Sequence, residues 1–171
     1  KKNILLAGDW CLKNEKSIEG YSIFPNIWSK YEIITKDYKK IKKIHKKISN
    51  FVTNYLYEYH NQNFSKKILS NLIYVWLTYY LFFYYFRWQT ISKIFKSNNN
   101  LKFISYKTDN FSNLIDSTDF YNISSESDYF NYCAFKQIID FKKEKKEINV
   151  KIIKSNKKLS ENLKKIKTFK K

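Results

Sequence analysis

Residues 68–86 form a run of 19 positions without a single Asp, Glu, Lys or Arg, and this run limits the available folds more than any other feature. It is long enough to cross the hydrocarbon core of a bilayer. It equally suits the central helix of a soluble domain, which is apolar all round because every face is covered. Ser70, Asn71 and Thr78 interrupt the run, and Tyr74, Tyr79, Tyr80, Tyr84 and Tyr85 occupy its middle as well as its ends. Membrane tyrosines gather at the interfaces, so the covered central helix is the better expectation. The helix is predicted over about residues 66–95, with Ser65 as its N-cap and Phe64 and Leu69 placed for a hydrophobic staple.

A second helix is predicted from Thr35 or Asp37, either of which could serve as its N-cap. Ile41, Ile44, Ile48, Val52, Tyr55, Leu56 and Tyr59 recur at steps of three and four, the mark of one apolar helix face. Lys39, Lys40, Lys42, Lys43, Lys46 and Lys47 fill the other face. Ile4 to Ala7 followed by Gly8-Asp9 reads as a short inner strand of a parallel sheet, with Gly8 free to turn the chain at the strand's carboxyl end. Residues 101–106 alternate as a strand, residues 107–128 read as an acidic loop, and a third helix starts at Ser127-Asp128. A short strand over residues 149–153 is followed by a lysine-rich tail, frayed or disordered from Lys154. The organisation expected is an N-terminal α/β domain over residues 1–141 and a lysine-rich, partly ordered segment over residues 142–171.

Composition enters through charge. The net charge is +18, which invites a nucleic-acid reading. Yet Arg87 is the sole arginine beside 32 lysines, and residues 142–171 alone hold 13 of those lysines against three glutamates. Base readers use the planar, forked guanidinium. A lysine surplus together with abundant Asn, Ile, Tyr and Phe is what an AT-biased genome writes. No specific nucleic-acid partner is expected, although a lysine-rich nucleic-acid binder stands as an alternative. The absence of methionine reads as a piece of a longer frame or a processed product.

Several chemistries find no support in the sequence. Cys11 and Cys133 lack the spacing of a metal site, and reduced thiols fit a cytoplasmic protein. With Gly8 and Gly20 as the only glycines, no phosphate-binding loop can be built. No cofactor is expected in this segment.

Four ordered patterns carry a resemblance. Leu5-Leu6-Ala7-Gly8-Asp9-Trp10-Cys11 comes first, and Trp28 followed by Lys36-Asp37-Tyr38 second. The third is Leu56-Tyr57-Glu58-Tyr59-His60, then Ser65, Trp76-Leu77 and Arg87-Trp88. The fourth is Asp128-Tyr129-Phe130-Asn131-Tyr132. Together, over about residues 4–141, they resemble a transferase family of O-antigen and surface-carbohydrate loci first named from a leptospiral genome. The chain departs from the family pattern at Tyr57, where the family has Asn, and at Phe130 and Tyr132, where it has Trp and His.

The resemblance implies a Rossmann-like α/β fold, helix-rich with a short parallel sheet, forming the N-terminal, acceptor-side half of a two-domain glycosyltransferase-type enzyme. Members are several times longer, so a nucleotide-sugar donor is expected in a C-terminal domain beyond this chain, which would be a partner of this half. Asp9 and His60 are the implied catalytic residues. Trp10, Arg87 and Asn131 are the implied substrate-binding residues, for a sugar or lipid-linked acceptor. Cytoplasmic placement follows, extending to peripheral contact with the inner face of the cell membrane. The alternative from another class is a small membrane-associated protein anchored by residues 68–86.

Overall fold

A computed structural model describes residues 4–8, 11, 20–61, 63–98, 100–108 and 117–159. Their order is β1 (Ile4–Leu6), β2 (Tyr21–Ile23), α1 (Tyr31–Tyr59), α2 (Lys66–Ser97), β3 (Lys102–Thr108), α3 (Ser117–Glu126), α4 (Asp128–Glu144) and β4 (Lys151–Leu159). The chain is a helix-rich α/β fold. Its described strands form two separate two-stranded sheets, β1 with β2 and β3 with β4, and both pairs are parallel. The second pair is a βαβ unit whose crossover is α3 and α4, the long connection that parallel strands require.

The central helix forms as its sequence dictates. Ser65 Oγ accepts from the Ile68 amide at 3.3 Å, and α2 then runs 32 residues. Its second half is the hub of the molecule. Phe83 packs with Phe120 and Ile123 of α3 and with Phe130 and Ala134 of α4. Ile91 packs with Phe135, Ile138 and Ile139 of α4 and with Val150. Ser127 Oγ caps α4 by accepting from the Phe130 amide at 3.1 Å. Tyr132 ties α4 to β3: its hydroxyl accepts from the Tyr106 amide at 2.7 Å and donates to the Ile104 carbonyl at 3.3 Å.

Several expectations need correction. Helix α1 begins at Tyr31 behind Lys30, which makes no side-chain cap bond, so neither Thr35 nor Asp37 is the cap. Its inward face runs Asp37, Ile41, His45, Ser49 and Thr53, at steps of four, while Ile44, Tyr55 and Tyr59 stay exposed. Ser49 and Thr53, small and polar, are buried on this face. Residues 117–126 of the expected acidic loop are helix α3. Strand β4 runs on to Leu159, past the point where a tail was expected, because β3 supplies partners up to Thr108. Of the two glycines, Gly20 and not Gly8 takes a positive φ, of 77°.

Candidate functional site

Three of the four sequence patterns make polar contacts in space, the second within itself and the third with the fourth. In the second pattern, the Trp28 indole Nε1 donates to Asp37 Oδ2 at 3.1 Å. The Tyr85 hydroxyl, from the facing turn of α2, donates to the other oxygen, Oδ1, also at 3.1 Å. Lys40 Nζ stands 3.6 Å from the same Oδ1. Asp37 is buried, so these three groups replace the water that the carboxylate has lost. The indole of Trp28 lies against Phe86 and Phe82 of α2, with ring centroids 4.9 and 6.1 Å away. Burial, followed by the Asp37 hydrogen bond and charge, pushes the Tyr85 hydroxyl up to about 12. Each of these effects favours the neutral phenol that donates to Asp37.

On another side of α2, the third and fourth patterns meet. Arg87 Nη2 donates to Asn131 Oδ1 and to the Ser124 carbonyl at 3.5 Å, while Nη1 donates to the Phe83 carbonyl at 3.0 Å. The Asn131 amide nitrogen donates to the carbonyls of Ser127 and Ser124, at 2.9 and 3.3 Å. Arg87 Cζ lies 3.3 Å from the Phe83 ring centre, a cation–π arrangement. Arg87 Nε is buried with no hydrogen-bond partner among the described residues. Burial lowers the guanidinium from its ordinary value to about 9. The cluster joins α2 to the α3–α4 corner, because Ser124 and Ser127 flank the break between those helices.

The other candidates fall elsewhere. Asp9 and Trp10 lie outside the described residues. Ala7 packs against the buried cluster of Ile91, Phe135 and Ile138. The Cys11 amide donates to the Gly8 carbonyl at 3.3 Å, closing a turn just past β1. His60 is the C-cap of α1, its ring edge-on to Tyr59 and Phe64. Arg87 lies 21 residues beyond the start of α2, hence about 30 Å along the helix from the end where His60 stands. Arg87 and Asn131 are brought together, and His60 is not part of that group.

Sequence reasoning missed three residues. In the sequence Asp37 reads as one of two cap candidates and as part of the second pattern, Tyr85 as part of an apolar run, and Lys142 as the start of the lysine-rich segment. Lys142 is buried, its Nζ 2.8 Å from Glu147 Oε2 and 3.7 Å from the centre of the Trp88 ring. One signal was available for Asp37: it stands four residues before Ile41, on the stripe that turns inward. Close to Lys142 a cavity of about 710 Å³ is lined by Ser92, Lys96, Asn98, Asn100 and Asn149. It opens where β3 and β4 begin, whereas open α/β sheets bind ligands where strands end. No group of three or more His, Cys, Asp or Glu side chains able to hold a metal occurs among the described residues.

No curated protein and no solved structure matches the chain. The model of the LIC12162 family of transferases matches residues 1–171. The span of that match takes in both polar clusters and the turn after β1, and the chain belongs to the LIC12162 transferase family.

Proposed function

We propose that this chain is the acceptor-side part of a glycosyltransferase-like enzyme of O-antigen or surface polysaccharide synthesis. Membership of a transferase family carries the reading. In it, a sugar or lipid-linked acceptor docks at the turn after β1. Trp10 stacks on the apolar face of a sugar ring, and Asp9 accepts the proton of the attacking hydroxyl. Ala7, two residues before Asp9, packs against the Ile91 cluster as Trp88 does, which supports a site near the α2–α4 hub.

Arg87 and Asn131 then act as positioning residues, since the guanidinium is already committed to Asn131 and two carbonyls. A nucleotide sugar is the donor, bound outside the elements described above. His60, at the far end of α1, would serve the reaction only from a second part of the acceptor path.

The test is sugar transfer from nucleotide-sugar donors to lipid-linked and free oligosaccharide acceptors by the whole protein carrying this chain. Asp9→Asn is expected to lower kcat by about 100-fold or more, and Trp10→Ala to raise the acceptor KM. If Asp9→Asn transfers sugar at the unmodified rate, Asp9 is not the base. If no donor–acceptor pair is turned over, the glycosyltransferase reading fails.

A further inference from the structure

The first half of α2 presents an apolar stripe that stays largely exposed; its last residue, Tyr79, meets Tyr121 of α3 with ring centroids 5.4 Å apart. Ile68, Leu72, Val75 and Tyr79 follow one another at steps of four, three and four, which places them on a single helix face. Their side chains remain 52%, 71%, 52% and 44% exposed. Tyr74 and Trp76, beside the stripe, are exposed as well, whereas Leu69 and Leu77 turn inward and are buried. Isolated exposed apolar residues are ordinary, but a continuous row of this kind marks an interaction surface.

We propose that this face, with the lysine rows of α1, docks the protein on an anionic bilayer surface. Charge complementarity selects this occupant. Helix α2 contains no Asp or Glu, and it opens with exposed Lys66 and Lys67. The level of α1 against α2 is fixed by contacts: His45 Nε2 donates to the Tyr74 carbonyl at 3.3 Å, and the Tyr38 ring lies 6.1 Å from that of Phe82. Exposed Lys42, Lys43, Lys46 and Lys47 therefore stand alongside residues 72–79 of α2. No acidic residue occurs in α1 between Asp37 and Glu58. Apolar side chains with Tyr and Trp at the flanks and lysines around them are the composition of an interfacial helix.

The geometry fits lying on a membrane better than crossing one. The stripe is about 17 Å long, well short of a bilayer core. The second half of α2 is held by Phe120, Phe130 and Ile138, and a crossing helix would have to leave those partners. A second copy of the chain is the less suitable occupant, because a symmetric contact through this face would set the lysine rows of both copies against each other. The placement does not rest on Asp9, Trp10 or the transferase reading.

The experiment is flotation of the chain with vesicles of phosphatidylcholine alone and of equal parts phosphatidylcholine and phosphatidylglycerol, at low and high salt. Binding to the anionic vesicles is expected to be at least about tenfold tighter than to the neutral ones, and to weaken with salt. Leu72→Glu with Val75→Glu should reduce it by at least about tenfold, with the helical circular dichroism retained because both positions face solvent. Lys42→Ser with Lys46→Ser, which leaves the apolar stripe intact, should reduce only the preference for anionic lipid. Absence of flotation with anionic vesicles at low salt overturns the proposal. Flotation unchanged by the glutamate pair also overturns it, since lysine adsorption alone would then suffice. A concentration-dependent dimer that the glutamate pair dissolves, without flotation, assigns the face to a second copy instead.

Discussion

Arg87 is the residue at which sequence and structure pull hardest against each other. As the lone arginine after a long apolar run, it invites a role as an anion ligand. In place, its guanidinium is spent on Asn131 and the carbonyls of Phe83 and Ser124, and it lies over the Phe83 ring. A half-buried cation with one unpaired nitrogen is kept only if the rest of its fork is well satisfied. Arg87→Ala is expected to destabilise the fold by about 2–4 kcal/mol and Asn131→Ala by about 1–3 kcal/mol. The double variant should fall short of their sum by about 0.5–3 kcal/mol. Arg87→Lys should recover little, because an ammonium cannot fork to two helices. Urea denaturation of the four variants measures the coupling; a coupling near zero would mean the contact holds nothing together. Asp37 teaches the same lesson. A carboxylate near a helix start looks like a cap, and only the approach of Trp28 and Tyr85 from elsewhere makes it a buried acceptor.

At the level of elements, what was legible follows from local chemistry. The starts of α2 and α4 are written in single residues, Ser65 and Ser127, each of which accepts from an amide three positions on. Strand β3 shows in the alternation of residues 101–106. The parts that were not legible depend on partners distant in sequence. Residues 151–159 are mostly Lys, Ile, Ser and Asn, and they become a strand because β3 offers a parallel edge. Helix α3 carries Asp119 and several serines, so its sequence looks like a loop until Phe120 and Ile123 find Phe83 and Phe130. The isoleucine spacing of α1 does not give its inward face, because that face also buries Asp37, Ser49 and Thr53. The same helix can test the distinction between covered and bare faces on α2. Phe83→Ala should cost about 3–5 kcal/mol, as for an aromatic removed from a packed core. Leu72→Ala, 11 residues earlier on the solvent face, should stay within about 0.5 kcal/mol. Melting curves of the two variants decide this, and equal losses would mean that the first half of α2 is covered too.

For the whole molecule, the distribution of packing predicts a gradient of stability along its longest dimension. Both apolar clusters sit at one end, where the second half of α2 meets α3, α4 and the β3–β4 unit. The other end is a two-helix hairpin, in which Phe51, Tyr55 and Tyr59 of α1 and Ile68 and Leu72 of α2 are exposed. A hairpin with few buried apolar contacts opens locally without unfolding the rest. Amide hydrogen exchange should therefore be slowest in residues 83–94 and 129–142, where opening requires global unfolding. Residues 50–75 should exchange through openings that cost at least about 2 kcal/mol less. Anionic vesicles should slow exchange in residues 66–80 selectively, because a ligand stabilises the state it binds. Uniform protection along both helices without vesicles would show that the hairpin belongs to the same cooperative unit as the hub. In that case the bare stripe on α2 would be rigidly presented, and vesicle binding would leave the exchange pattern of the hairpin unchanged.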